Sequence, residues 1–256
     1  MSLLDLLLPP TCPVTGTEVT RQGALSPEAW IDLAFLTGPR CAGCGQEVPG
    51  LTEAEHDFRC DTCRRYDHPW QRGRAAFRYE GTGRRLILSL KHGDRLDLVP
   101  SIARWMHAAG PELVAEADLV APIPLHWSRM LKRRYNQSAE LARHLCGIAG
   151  RRDAYAPGLL RRIRATASQD GKDRAARVAN LADALALTDT SRLQEKRVLL
   201  VDDVLTTGAT LAAATNLCLE RGAASVDVIV SALVNFEEKP YVPADTASED
   251  LSDETD

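Results

Sequence analysis

The sequence predicts an α/β protein: a parallel sheet flanked by helices, with a small cysteine-rich module in front of it. Three observations carry the prediction. Strand-like and helix-like stretches alternate between residues 71 and 236, the pattern of a parallel sheet covered on both faces. The apolar run Val198-Leu199-Leu200-Val201 leads straight into two adjacent carboxylates, Asp202 and Asp203, and then into a Thr/Gly loop. Near the amino end, Cys41-Ala42-Gly43-Cys44 and Cys60-Asp61-Thr62-Cys63 form two Cys-x-x-Cys pairs. The 256 residues therefore divide into a module (1–70), a larger domain (71–236) and an acidic tail (237–256).

In the larger domain, "GRAAFRY" (73–79) alternates like a strand, and "GRRLILSLKHGDR" (83–95) reads as a helix burying Leu86, Ile87 and Leu90. "LVPSIARWMHAAG" (98–110) continues helically. "ADLVAPIPL" (117–125) is a buried strand ended by two prolines, which cannot donate to a ladder. "YNQSAELARHLCGIAG" (135–150) is a helix with a glycine stop, and "RIRATASQDGK" (162–172) a polar, basic loop. "DRAARVANLADALAL" (173–187) reads as a further helix. The strand "RVLLV" (197–201), the helix "TLAAATNLCLERGA" (210–223) and the strand "SVDVIVSALV" (225–234) complete the domain. No internal repeat stands out.

The net charge of −4 argues against a general polyanion binder, but charge is unevenly spread. From Ala121 to Asn180 thirteen basic residues face four acidic ones, while eight acidic residues against Lys239 alone fill 237–256, a composition expected to be disordered. The start, "MSLLDLLLPP", lacks a basic stretch and stops at Pro9-Pro10, so it reads as a short packing helix rather than an export signal. No run approaches the roughly 20 apolar residues of a membrane span. The expected location is the cytoplasm, where seven cysteines are not a disulfide framework.

Cys41, Cys44, Cys60 and Cys63 have the spacing of four thiolates closing on one structural zinc, and a redox dithiol is the competing reading. His56 and His68 lie nearby, but four cysteines already complete a tetrahedral shell. Cys146 and Cys218 fall in apolar helical patterns and read as core fillers. In open parallel sheets ligands bind beyond the carboxyl ends of the strands, which is where Asp202 and Asp203 are expected. Thr206-Thr207-Gly208-Ala209-Thr210 then opens a helix whose first N–H groups favour an anion, and Gly208 lets a phosphate approach the backbone. Carboxylates for sugar hydroxyls beside a phosphate cradle suit a phosphorylated sugar. A Walker loop is excluded, because no Gly-Lys-[Ser/Thr] follows.

These residues resemble the phosphoribosyl pyrophosphate (PRPP) signature of type I phosphoribosyltransferases, and within them the ComF family of competence-related proteins. Tyr79-Glu80-Gly81 through Arg84-Arg85-Leu86-Ile87 to Lys91 is similar to a ComF motif. So are Pro122-Ile123-Pro124-Leu125-His126, Arg133-Arg134-Tyr135-Asn136-Gln137, Arg162 to Gln169 and Arg177 to Asn180. The resemblance implies a type I phosphoribosyltransferase fold binding Mg²⁺–PRPP. Asp202 and Asp203 would hold the ribose hydroxyls, and Thr206, Thr207, Gly208, Ala209 and Thr210 the 5′-phosphate, with Val204, Leu205 and Lys91 lining the same site. Arg133 or Arg134 would meet the pyrophosphate, and the loop from Arg162 to Lys172 would close over the ligand. Two departures stand out: Arg134 replaces a family glycine, and only Cys12 remains of an additional cysteine set, with Ser26 and Ala29 where a second pair would sit. The readings this leaves are transfer of a phosphoribosyl group to an acceptor (with His126 or His92 as base), a PRPP-binding switch, and handling of single-stranded DNA with Trp127 and Tyr135 as stacking candidates.

Overall fold

The computed structural model describes residues 9–50, 57–65, 68–92, 95–125, 135–163 and 184–234. Its centre is a four-stranded, wholly parallel sheet. The strands are β1 (Gly73–Arg78), β2 (Leu119–Pro122), β5 (Arg197–Leu205) and β6 (Ser225–Leu233), in the order β1-β6-β5-β2. Two further short strands, β3 (Leu160–Arg162) and β4 (Leu185–Leu187), pair antiparallel outside that sheet. The helices are α1 (Pro27–Ile31), α2 (Asp61–Arg65), α3 (Gly81–His92), α4 (Val99–Ala109), α5 (Pro111–Glu116), α6 (Gln137–Ile148) and α7 (Ala209–Glu220).

A strand buried on both faces needs apolar residues at successive positions rather than alternate ones. That is the pattern of β5: Val198 and Leu200 join one core while Leu199 and Val201 join the other. The second core is built by α3, α4, α5 and α6, with Leu86, Ile87, Leu90, Ile102, Met106, Leu141 and Leu145 all fully buried. The first contains α7, the β3–β4 ribbon and the cysteine cluster itself. Cys146 and Cys218 are core fillers as expected, and burial pushes their thiols up to about 11 and about 12.

The structure corrects four expectations. Residues 73–79 do not alternate: Ala75, Ala76 and Phe77 are all buried, because helices cover one face of β1 and the amino-terminal module the other. Of the helix expected over 173–187, residues 173–183 lie outside the described residues, and Leu185–Leu187 is a strand. Leu-Ala-Leu satisfies either period, and pairing Leu160↔Leu187 and Arg162↔Leu185 buries Leu160 and Leu185 together. Arg162, expected to begin the mobile loop, is instead the last residue of β3.

The fourth correction is an internal repeat. Pro10–Val19 and Pro39–Val48 fold alike: Cys12 N–H donates to Thr17 O and Cys41 N–H to Gln46 O at 2.7 and 2.8 Å, and Gly16 and Gly45 N–H donate back to Cys12 O and Cys41 O, both at 2.9 Å. Each turn closes on a glycine in the left-handed region, φ 75° and 79°. Ser26 at the start of α1 corresponds to Cys60 at the start of α2. Side-chain identity hides the repeat, because only Cys12 of the first copy matches a cysteine ligand of the second.

The module does not stand apart from the sheet. Leu36 N–H donates to Ala76 O (3.0 Å), Arg78 N–H to Ala34 O (2.8 Å) and Gly73 N–H to Ala42 O (2.7 Å), so residues 34–42 run along the otherwise unpaired edge of β1.

Candidate functional site

The four cysteine sulfurs Cys41, Cys44, Cys60 and Cys63 lie within 4.8 Å of one another, largely buried. Tetrahedral zinc with Zn–S bonds of ~2.3 Å requires sulfurs ~3.8 Å apart; Cys44 Sγ and Cys60 Sγ are 3.8 Å apart. Cys60 N–H donates to Cys41 Sγ at 3.2 Å, a bond that favours a thiolate. Crowding splits the thiols, drawing Cys41 down through its hydrogen bond with Cys44 and pushing Cys44 and Cys63 up through theirs with Cys41. A divalent cation is what lets four thiolates coexist there. The residues fit zinc, and the module is a zinc ribbon. In the first copy Thr15 Oγ1 donates to Ser26 Oγ (3.1 Å). Burial raises the Cys12 thiol, but hydrogen bonds from Thr15 and the backbone of Ser26 outweigh it and bring it to about 7. Hydroxyls and a single thiol there tie the loops that four cysteines tie in the second copy.

The two carboxylates do not stand beyond the strand as expected. β5 continues through Asp202 and Asp203 to Leu205, and Asp202 pairs in register with Val230. Each acid has its own partner. Lys91 Nζ, one residue from the end of α3, sits 2.9 Å from Asp203 Oδ1. Ser138 Oγ, in the first turn of α6, donates to Asp202 Oδ1 at 2.9 Å, and Asp203 N–H donates to the same oxygen at 2.9 Å. Local chemistry sets both partners. Asn136 caps α6 by accepting from Ser138 N–H (3.1 Å) and anchors its own amide on Ile123 O (3.0 Å), which brings Ser138 over β5. Tyr135 Oη donates to Leu90 O at 2.6 Å, which fixes the end of α3 beside Lys91. Burial, then the Asp203 charge, pushes Asp202 up to about 7, against the pull of these donors and of Lys91.

After Leu205 the chain turns through Thr206 and Thr207 to Gly208, which has φ 73° and opens α7. A Cβ at Gly208 would lie 2.9 Å from Trp70 Cη2, so the loop needs glycine for both its φ and its space. Asp202, Val204, Thr206, Thr207, Gly208, Ala209 and Thr210 line a concavity of about 40 Å³ against Leu205 and Leu211. Leu205 is buried in the core, which leaves only its backbone to the site. A phosphate-sized group fits that concavity. Sequence reading missed Ser138 and Trp70; Ser138 stood in plain view after "YNQ", and only folding brings it to Asp202. Arg133, Arg134, His126, Trp127, the loop 164–172, the first eight residues and the acidic tail lie outside the described residues, as does the side chain of His92.

A parallel sheet ending in two restrained acids and a Thr/Gly helix start, with a zinc ribbon on its edge, defines a two-part class. Two family models match the chain, one in each part. Residues 3–66 match the double zinc ribbon domain and residues 139–250 the phosphoribosyl transferase domain. The chain is 31% identical to DNA utilization protein YhgH of Salmonella typhimurium and of Escherichia coli K12, covering 70% of this chain and 79% of each relative. It is 28% identical to competence protein F of Haemophilus influenzae, covering 74% and 82%. Two solved structures of HPRTs mutated at an invariant aspartic acid, to glutamine and to asparagine, align over 60% of this chain and 73% and 71% of theirs. Their TM-scores are 0.34 and 0.33, at 16% and 17% identity. The chain belongs to the ComF family, a type I phosphoribosyltransferase fold joined to a zinc ribbon. No helix among the described residues is long and apolar enough to cross a membrane.

Proposed function

We propose that the end of β5 and the start of α7 form a binding site for PRPP, and that the protein either transfers its phosphoribosyl group or uses the ligand as a signal. The observation that carries the reading is the single concavity shared by Asp202 and the backbone of Thr206 to Thr210. The helix start offers N–H groups to the 5′-phosphate, and Gly208 keeps side-chain bulk away from it. Asp202 and Asp203 accept hydrogen bonds from the ribose hydroxyls, held in place by Ser138 and Lys91. Mg²⁺ would arrive with the pyrophosphate rather than in a protein cage, since the four cysteines are the only metal-binding cluster among the described residues. When bound it would offset the charge of the leaving group. Arg133 and Arg134, on the segment between β2 and α6, are our candidates for that end of the ligand. As pyrophosphate departs, positive charge builds on the ribose, and an ionised acid near the hydroxyls stabilises it.

Calorimetric titration of Mg²⁺–PRPP into the zinc-loaded protein tests the reading. Saturable binding that disappears in Asp202→Asn/Asp203→Asn supports it, whereas unchanged binding in that variant refutes it. The names of the relatives and the basic stretch Ala121 to Asn180 favour a second role in handling single-stranded DNA, in a cytoplasmic protein. Single-strand affinity falling steeply with salt would support that role, and affinity indifferent to salt would remove it.

A further inference from the structure

Trp70 touches both halves of the molecule. Its ring is 1% exposed. Its indole N–H donates to Gly43 O at 2.6 Å, inside the Cys41–Cys44 knuckle. At the other end its Cη2 fills the space where a Gly208 side chain would stand, 2.9 Å from the ideal Cβ. His68 stacks on the same ring, centroids 4.2 Å apart and planes within 9°. Gly43 is itself wedged between the two knuckles, its Cβ position 3.2 Å from Cys63 Sγ. The direction of the Gly43 carbonyl is therefore set by how both knuckles close on their metal. Cys41, Cys44, Cys63, Trp70, Leu205 and Ala209 belong to one buried cluster, so nothing soft separates the ribbon from the loop.

We infer that Trp70 is a positioning residue that couples the zinc knuckle to the Thr206–Thr210 loop, so that metal and sugar phosphate strengthen each other's binding. The inference rests on the PRPP reading of that loop. Opening the knuckle turns Gly43 away and strips a buried N–H of its acceptor. The ring then shifts, and Gly208 loses the surface that holds its backbone turn. Coupling between two sites is reciprocal, so a ligand on the loop must also tighten the hold on the metal.

The test measures zinc affinity by equilibrium competition between the full chain and a chromogenic chelator, with and without saturating Mg²⁺–PRPP, for the parent and Trp70→Phe. Phenylalanine keeps an aromatic ring but lacks both the N–H and the far ring edge. In the parent, PRPP should protect the metal by tightening zinc binding at least about 5-fold, the lower end of ordinary site-to-site coupling. In Trp70→Phe that protection should shrink to below about 2-fold while calorimetry still detects PRPP. Equal protection in both proteins would overturn the role of Trp70. Zinc affinity of the parent unaffected by PRPP, with PRPP binding shown by calorimetry, would overturn the coupling without Trp70→Phe needing to fold. Absence of PRPP binding to the parent would instead overturn the site reading, and this inference with it.

Discussion

Asp202 is held in a state that opposes folding, and replacing it by Asn should make the protein more stable. A carboxyl raised from 3.8 to about 7 binds its proton more tightly in the folded chain than in the unfolded one. The penalty is therefore absent below pH ~4, grows as pH rises, and is complete above pH ~7. At ~1.4 kcal/mol per pKa unit its ceiling is about 4 kcal/mol at pH 8.5, and it grows by about 1 kcal/mol between pH 6 and pH 8.5. Asn keeps an oxygen for Ser138 Oγ and Asp203 N–H and adds no volume, so the hydrogen bonds survive while the charge goes. Urea denaturation of parent and Asp202→Asn, with zinc present throughout, measures the difference. The variant should be more stable at both pH values, with its advantage larger at pH 8.5. An advantage that is absent, or that shrinks with rising pH, would refute the claim that burial and Asp203 raise this group.

Lys91→Met removes the cation facing Asp203 and leaves a mostly buried carboxylate uncompensated; the unfolding free energy from urea titration should fall by about 1–2 kcal/mol, and PRPP affinity with it. Ser138→Ala removes a donor that favours ionised Asp202, so the pH midpoint of PRPP binding should move up, read by calorimetry from pH 6 to 8.5. Gly208→Ala puts a methyl group at φ 73° against Trp70 and should lower stability by about 1–3 kcal/mol, checked by denaturant unfolding. Elemental analysis should find one zinc per chain, held by the Cys41–Cys63 set and lost in Cys60→Ser, because the first ribbon copy has only Cys12.

Much of this arrangement was legible in the sequence because it is local. Val198 to Val201 spells a strand buried on two faces, Leu86, Ile87 and Leu90 mark the inner stripe of α3, and Cys-x-x-Cys spacing carries the ribbon. What escaped is what folding assembles over distance. The Asp202–Ser138 contact joins elements sixty-four residues apart, and the Trp70 indole crosses from the ribbon to Gly208. The end of β5 was misplaced because Asp is a poor strand residue, and its continued pairing to Leu233 is imposed by β6 rather than by propensity. The duplicated ribbon was hidden because its backbone hydrogen bonds persist where Thr15, Ser26 and Ala29 have replaced the ligand pattern.

The central claim is that the Thr206–Thr210 backbone receives the 5′-phosphate of a phosphorylated ribose. Backbone amide spectra of the ¹⁵N-labelled protein, titrated separately with PRPP, ribose 5-phosphate and pyrophosphate, test it most directly. The account predicts that PRPP and ribose 5-phosphate both shift the amides of Thr206 to Thr210 and that pyrophosphate alone leaves them in place. Shifts confined to other regions, or a loop that answers to pyrophosphate and not to ribose 5-phosphate, would contradict it.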